Sequence, residues 1–392
     1  MNATSLSLVM RLRWLAVGMV VLHHVRFILF ANLSQLNETG ALLKLFYLLT
    51  SYGHEGTVLY MLLSGLLLGG NAYRRWRPGH AALGHFVVRT LWFYALMVPA
   101  LAIGGMLDLF GSQALGGSGA YVRFHEFSPS FGPGAYAANL LMMQRFLAPG
   151  LGSNAMLCIL AYECWAYLSL ASFFLPARRF IARMAAASIV LAGILLEPEF
   201  GGYLMLWLIG LAVATRTQWP QLSRTPASMV FVGALLVSRF GGAGLAQVPD
   251  HYVLLVRLML DLQLGFGFAL LVIAYRPRTG QQPGWRRPAW GLTHNSPGAH
   301  VAIFATHFPF MMFVAAAGNL GLGSPIAGSP SLRAFSAFAC LVIAIYVYGF
   351  GICRVAFSVF HWLRSRTRPQ SGAGLTGARA EPPQVRRSTE RH

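Results

Sequence analysis

The stretch LVMRLRWLAVGMVVLHHVRFILF, residues 8–30, decides the class of fold. An α-helix needs about 20 mainly apolar residues to cross the ~30 Å hydrocarbon core of a bilayer, and this run is long enough. The start of the chain lacks the short apolar region and the A-x-A site of a cleaved secretory signal. We therefore predict that residues 8–30 form a membrane-spanning helix that is retained.

Similar runs recur along the rest of the chain. Apolar runs occur near residues 8–30, 46–70, 86–107, 152–175, 184–197, 202–215, 227–240, 252–275, 298–318 and 334–360. The composition agrees, because 56% of the residues are hydrophobic and only 10% are charged, whereas soluble domains carry about 25% charged residues. These features predict an all-α, polytopic transmembrane bundle of about ten helices.

Arginines are concentrated in alternate loops of this bundle. If the N-terminus lies in the cytoplasm, the cytoplasmic segments contain Arg74, Arg75, Arg77, Arg178, Arg179, Arg183, Arg216, Arg224, Arg276, Arg278, Arg286, Arg287, Arg364, Arg366 and Arg368. The outer loops contain few basic residues, among them Lys44, Arg123 and Arg239. By the positive-inside rule, both termini are predicted to be cytoplasmic. The net charge of +19 is then attributed to topology and to anionic membrane lipid, not to nucleic acid.

The polar segments set the domain organisation. Residues 1–363 are predicted to form one transmembrane domain, and the Pro- and Gly-rich segment 364–392 a disordered cytoplasmic tail. The Gly-, Ser- and Pro-rich loop 108–138 is predicted to lie outside, as a lid, an acceptor-binding loop or a plain connector. The cysteines lie in apolar runs without metal-ligand spacing and are interpreted as small apolar residues: Cys158, Cys164, Cys340 and Cys353.

Several apolar runs contain ionisable side chains at depth. They are His23, His24, Glu163, Asp261, His300 and His307. Ionisable groups in the hydrocarbon region are costly and usually mark functional sites. Each histidine alone can also be a structural residue bonded to a backbone carbonyl. Together, their similar depths favour one shared polar site. Arg257 and Asp261, four residues apart on one helix, are predicted to form a structural ion pair.

Arg13 and His24 lie eleven residues apart in the first run. Eleven steps of ~100° return to nearly the same helix face, with a rise of ~16 Å. An interfacial Arg suits a phosphate group, and a buried imidazole suits proton transfer. Arg13 taken alone is also typical of an anchor that extends to the lipid head groups.

Four blocks of sequence follow in a recognisable order. The first is RLRWLAVGMVVLHH (11–24), with Arg, ten residues, then His; the second is GHEGTVLYMLLSGLLLGG (53–70). Its characteristic residues are Gly53, Gly56, Tyr60, Ser64 and Gly65. The third joins LLMMQRF (140–146) to LCILAYECWAYLSL (157–170), and the fourth is IFATHFPF (303–310). The third contributes Glu163 and Tyr167, and the fourth His307 and Pro309.

These blocks resemble acyltransferase family 3, a family of integral membrane O-acyltransferases that modify surface carbohydrates and related acceptors. The resemblance implies transfer of an acyl group, often acetyl, from cytoplasmic acyl-CoA to an acceptor hydroxyl. The chain departs from the family pattern at Val58, where Asp is common, at Cys158, where Trp is common, and at Arg89, which remains from a basic pair. It therefore resembles a divergent member.

The resemblance and the chemistry assign candidate roles. His24 or His307 would act as general base, and His24 is favoured by its shared helix face with Arg13. Glu163 would orient a histidine or bind acceptor hydroxyls. The candidates for the CoA phosphates are Arg13, Arg74, Arg75 and Arg89. The substrate-binding candidates are His54, Glu55 and Tyr167. No metal and no permanently bound cofactor is expected, apart from acyl-CoA as donor substrate.

The sequence is also compatible with a second class of function. Buried His and Glu side chains also suit a transporter or flippase for a polar or lipid-linked solute. Inverted repeats would favour that class, and none is seen in the sequence. Lys44 is the only lysine, whereas Arg, Ala and Gly are abundant, which favours a GC-rich bacterial genome and the bacterial cytoplasmic membrane. The sequence leaves the oligomeric state open.

Overall fold

The computed structural model describes most of the chain and most of every apolar run. The described residues are 3–36, 39–76, 82–115, 120–123, 130–154, 156–174, 179–216, 218–276, 298–318 and 330–367. The helices are α1 (Ala3–Leu29), α2 (Ala41–Leu49), α3 (Gly53–Ser64), α4 (Gly70–Trp76), α5 (Ala82–Ala114), α6 (Ala120–Arg123), α7 (Pro133–Leu140), α8 (Leu157–Phe174), α9 (Arg179–Leu196), α10 (Pro198–Thr215), α11 (Arg224–Ala243), α12 (Asp250–Ala274), α13 (Ala299–Ala317) and α14 (Leu332–Thr367).

The described residues form an all-α polytopic bundle without a β-strand, as predicted. Eight helices are long and apolar enough to cross a membrane, namely α1, α5, α8, α10, α11, α12, α13 and α14. The shorter apolar helix α9 and the composite of α3 and α4 occupy the two other predicted spans. The chain is thus an integral membrane protein.

The second predicted span, 46–70, is displaced along the chain. Its beginning belongs to the separate helix α2, which ends where the Thr50 hydroxyl donates to the Phe46 carbonyl at 2.7 Å. The spanning segment starts at Gly53 and continues through α3, a π-helical turn at Gly65–Gly69 and α4. Apolar content alone could not locate this break, since residues on both sides of it are apolar.

Other predicted boundaries also change. The last two turns of α5 and the helix α7 occupy parts of the loop predicted at 108–138, whereas residues 116–119 and 124–129 of that loop lie outside the described residues. Asp108, predicted to be in the loop, is fully buried and accepts hydrogen bonds from the Ser153 amide at 2.7 Å and from Tyr121 at 3.1 Å. Helix α14 continues to Thr367, into the predicted tail; the remainder of that tail is not among the described residues.

Helix α13 lies at the centre of the bundle. Of its candidate span, 83% is buried, against 22% for the spans of α5 and α14. Pro309 inside α13 has no N–H to donate to the Ala305 carbonyl one turn earlier. The Asn154 side-chain amide donates to this carbonyl instead, at 2.8 Å. The central helix therefore keeps its proline without an unsatisfied carbonyl at that point.

The composite second span packs closely on α10. An added Cβ at Gly65 would collide with the Trp207 carbonyl, and one at Gly210 would collide with the Leu62 carbonyl. Two glycines on facing helices allow backbones to approach, which is a frequent mode of packing in membrane bundles. The approach brings the buried Trp207 ring beside Ser64, at the start of the π-helical turn.

Candidate functional site

Helices α1 and α13 are joined by two polar side-chain contacts. Arg13 donates through Nη2 to His300 Nε2, and further along both helices His24 Nδ1 lies 3.0 Å from His307 Nε2. The two contacts occur in the same order on both helices, so the helices run in the same direction. The predicted topology requires this of its first and ninth spans. We name the end of the bundle with Arg13 the proximal end, and the end where α1 finishes the distal end.

The partners of the distal pair define its protonation. His307 Nδ1 lies 2.9 Å from the Phe304 carbonyl and 3.1 Å from the Ile303 carbonyl. A carbonyl oxygen only accepts, so Nδ1 carries the proton and Nε2 of the neutral ring accepts. His24 Nδ1 must then donate to His307 Nε2. This leaves His24 Nε2 without a proton, and no described residue donates a hydrogen bond to it.

The proximal contact has a different character. His300 is buried and accepts from the Arg13 guanidinium, which retains further N–H donors. Arg89 lies within electrostatic range of both residues and stacks over the Trp92 ring at 4.7 Å. Helix α13 begins beside them, after Gly298, which provides no side-chain cap. Two arginines at a helix N-terminus form a site suited to an anion.

Glu163 lies between these contacts, on α8, and accepts two hydrogen bonds. Tyr60 donates to Oε2 at 2.9 Å and Ser64 to Oε1 at 2.8 Å, and Trp207 Nε1 donates to Ser64 Oγ at 3.1 Å. The expectation that Glu163 orients a histidine is wrong in this structure, because α8 packs on α3 whereas the histidine pair lies between α1 and α13. The carboxylate instead accepts hydrogen bonds from two hydroxyl groups of the protein itself, and the alternative that it binds acceptor hydroxyls stays a prediction.

The Glu163 cluster adjoins both contacts between α1 and α13. The Tyr60 ring stacks on Phe304 at a centroid distance of 4.4 Å, and the carbonyl of Phe304 accepts from His307. Tyr60 and Glu163 also lie within electrostatic range of Arg13. The sequence blocks that carry Arg13, His24, Tyr60, Glu163 and His307 are thus brought to one region of the bundle.

The distal end contains the predicted contacts of the acceptor. His54 bonds to Asp261 at 2.7 Å, so the predicted Arg257–Asp261 ion pair is wrong; Asp261 faces α3 across the helix interface. Glu55 is 3% exposed and accepts from Ser238 at 3.3 Å. Nearby, burial and the Glu55 charge raise the pKa of Tyr52, which keeps that phenol neutral.

The other candidates are distributed differently from the prediction. Tyr167 packs against Trp76 and Phe86 at the proximal end, so it is separated from His54 by nearly the length of the second span, roughly 33 Å. Arg74 donates to the Ala214 carbonyl at 3.3 Å and Arg75 to Asn71 at 3.2 Å. Of the arginines proposed for the donor, the structure brings Arg89 to Arg13 but gives Arg74 and Arg75 other contacts.

Two residues of the site were not assigned a role from the sequence. His300, the partner of Arg13, is seven residues before His307, and two helical turns place both on one face. That spacing could have identified His300. Trp207 gave no such signal, because its hydrogen bond to Ser64 depends on how closely α10 packs on α3.

The titratable groups do not form a metal-binding set. The described residues contain no group of three His, Cys, Asp or Glu side chains arranged to hold an ion. All four cysteines are free thiols. The chemistry of the site therefore has to be argued from its histidines, arginines and hydroxyl-bound carboxylate.

Comparisons with models of protein families, with characterised proteins and with solved structures found no match for this chain. The class of protein that the fold defines is accordingly the polytopic, all-α integral membrane protein.

Proposed function

We propose that this protein is a membrane-bound acyltransferase, which moves an acyl group from cytoplasmic acyl-CoA to a hydroxyl of a carbohydrate or other surface or secreted acceptor. The observation that carries the proposal is the histidine pair. His24 Nε2 is unprotonated and unbonded among the described residues, while His24 Nδ1 donates to His307. A neutral imidazole held in this tautomer is a general base ready to accept a proton.

In the proposed reaction, His24 acts twice, first as the base that accepts a proton and then as the acid that returns it. The acceptor hydroxyl oxygen attacks the thioester carbonyl carbon as its proton passes to His24 Nε2. The tetrahedral intermediate then collapses, the carbon–sulfur bond breaks, and the leaving thiolate takes the proton from His24 to give free CoA and the O-acyl ester. While His24 is protonated, its Nδ1–H remains bonded to His307, whose own Nδ1–H is held by two carbonyls. His307 is therefore a positioning residue.

The proximal end supplies a fitting donor site. Acyl-CoA carries its phosphates at one end of a long arm and its thioester at the other. Arg13, Arg89 and the start of α13 would bind the phosphates at the predicted cytoplasmic face. Arg13 and His24 are separated by ~16 Å along α1, so the arm would extend along this helix toward the base.

The family resemblance supports the proposal in a second way. Residues singled out by four blocks, spread from Arg13 to His307, meet around α1 and α13. Such convergence is what one shared site requires. A location in the bacterial cytoplasmic membrane, which the abundance of Arg, Ala and Gly and the single lysine favour, is part of the proposal.

The test is donor binding and turnover by the purified protein. Wild type, Arg13→Ala and His24→Ala would be titrated with acetyl-CoA and longer acyl-CoA, and CoA release would be measured with and without carbohydrate acceptors. We expect weakened binding in Arg13→Ala and lost turnover with retained binding in His24→Ala. Arg183→Ala, an exposed arginine on α9, is the matched control and should change neither. Absence of acyl-CoA binding by folded wild type would overturn the proposal.

One observation favours the alternative of a transporter or flippase. Polar side chains occur at successive depths, from the Arg13–His300 contact through Glu163 and the histidine pair to His54–Asp261, and a π-helical turn interrupts the second span. Such features also occur along solute pathways. A transporter would move an unmodified solute into proteoliposomes without acyl-CoA, whereas the proposed enzyme would release CoA and modify its acceptor.

A further inference from the structure

Two arginines converge on one turn at the distal end. Arg26, in the last turns of α1, directs its Nε toward the Thr50 carbonyl at 3.4 Å, and Arg239 of α11 donates to Ser51 Oγ at 2.5 Å. Arg26 is only 8% exposed, so it is enclosed by protein and not by lipid. The two guanidinium groups are close enough to interact electrostatically.

Neither arginine has a carboxylate partner among the described residues. No acidic oxygen there lies within 4.0 Å of their nitrogen atoms. Burial of a charge is costly unless it is paired. One buried and one half-buried guanidinium group, whose hydrogen-bond partners are neutral, form a site at which an incoming anion would gain strong, charge-assisted hydrogen bonds.

Unpartnered polar atoms adjoin the same turn. Glu55 Oε2 and His23 Nδ1 are both buried without a hydrogen-bond partner. Arg239 lies within electrostatic range of both side chains. The His23 ring lies 5.5 Å from that of His24, so this cluster borders the base. Glu55 Oε2 can only accept while it is ionised, and it is therefore suited to a hydroxyl donor.

We propose that the acceptor is an acidic carbohydrate, whose anionic group binds Arg26 and Arg239 while its hydroxyls bind Glu55 and His23. This inference rests on the proposed acyl transfer and names the class of its acceptor. A neutral sugar would satisfy Glu55 and His23 but leave both arginines unpaired. An anion without hydroxyls would do the reverse. An acidic sugar bound here would present its hydroxyls beside His24.

The experiment compares two tetramers with the same sugar backbone, one with a carboxylate and the other with an uncharged hydroxymethyl group at C6 of each unit. Tetragalacturonate and its carboxyl-reduced tetramer would be titrated calorimetrically into protein in lauryldimethylamine oxide, a detergent without phosphate or sugar. We expect the acidic tetramer to bind at least ~10-fold more tightly, since a hydrogen bond between charged groups is stronger than one between neutral groups. Arg239→Gln and Arg26→Gln should each remove most of this preference and leave binding of the neutral tetramer unchanged.

The matched control is Lys44→Gln, which removes an exposed positive charge from the same end of the bundle and should keep the preference. If Arg26→Gln does not fold, the test rests on Arg239→Gln alone, because Arg239 is only half-buried and its replacement should be tolerated. Equal binding of both tetramers, binding of neither, or equal loss in Lys44→Gln would overturn the inference. So would a phospholipid that co-purifies with wild type but not with Arg239→Gln and that the acidic tetramer cannot displace.

Acyl-CoA binding keeps this inference separate from the proposed function. Wild type, Arg26→Gln and Arg239→Gln should bind acetyl-CoA alike, because both arginines lie at the end of the bundle opposite Arg13. Retained acetyl-CoA binding without an acidic preference would overturn only the acceptor class. Loss of acetyl-CoA binding by wild type would overturn the proposed enzyme whatever the saccharide result.

Discussion

The two contacts between α1 and α13 join the same pair of helices, yet they differ in charge and in what they leave open. Arg13–His300 is cationic and lies where α13 begins, with spare N–H donors. His24–His307 is a neutral pair two turns further along α13, with one spare acceptor nitrogen. The first is suited to hold an anion and the second to accept a proton. In the proposed enzyme, one pair of parallel helices would thus separate donor binding from proton transfer.

Replacement of His24 should have the largest effect on activity. His24→Ala removes the only unbonded acceptor nitrogen of the pair, and general-base catalysis is typically worth ~10²–10⁴-fold. We expect kcat to fall by that factor while the Kd for acyl-CoA stays within about twofold. The rate of CoA release gives kcat, and a separate binding titration gives Kd. An unchanged kcat would show that the His24–His307 contact does not carry out proton transfer.

Arg13→Gln should weaken binding of acyl-CoA at the proximal end. It removes a charged donor at the proximal end, where charged hydrogen bonds contribute ~1.5–3 kcal/mol, or about 10–100-fold in Kd. The Kd for acyl-CoA should rise by this factor, and less so at high salt, where the wild type also loses part of the electrostatic attraction. Arg74→Gln is the informative control, because Arg74 contacts the end of α10. Equal weakening by both substitutions would favour a diffuse attraction over a built site.

Features set by local helix geometry could be predicted from the sequence, whereas features set by contacts between helices could not. The eleven-residue spacing of Arg13 and His24 predicts a shared helix face, and apolar length predicts the all-α bundle. Both depend on local geometry. The pairing of His54 with Asp261, the two hydroxyls on Glu163 and the tautomer of His24 depend on which helices touch. Spacing within one helix favoured Arg257 as the partner of Asp261, and tertiary contact overrode it.

His307 tests whether orientation of the base matters. His307→Ala leaves His24 Nδ1 without its acceptor, so the base would rotate, and misplacement of a catalytic group by ~1 Å can cost up to ~10²-fold. We expect kcat to fall by about 10–10²-fold at unchanged Kd for acyl-CoA. His307→Gln offers Oε1 as acceptor and should restore part of the activity. A merely structural role would lower thermal stability in both variants without this difference between Ala and Gln.

The turn of α13 around Pro309 gives the smallest expected effect on activity. Asn154→Ala removes the amide that donates to the Ala305 carbonyl at 2.8 Å. That carbonyl has lost its helical partner to Pro309, and an unsatisfied buried group costs ~1–3 kcal/mol. We expect a lower melting temperature with kcat and Kd changed less than about threefold, because neither histidine contact involves Asn154. Asn154→Asp, unable to donate while ionised, should destabilise at least as much, whereas Asn154→Gln should recover part of the loss. If Asn154→Ala instead lowered kcat as strongly as His307→Ala, the turn at Pro309 would be setting the register of His307 against His24. The two contacts would then be coupled through α13, whereas we expect them to act independently.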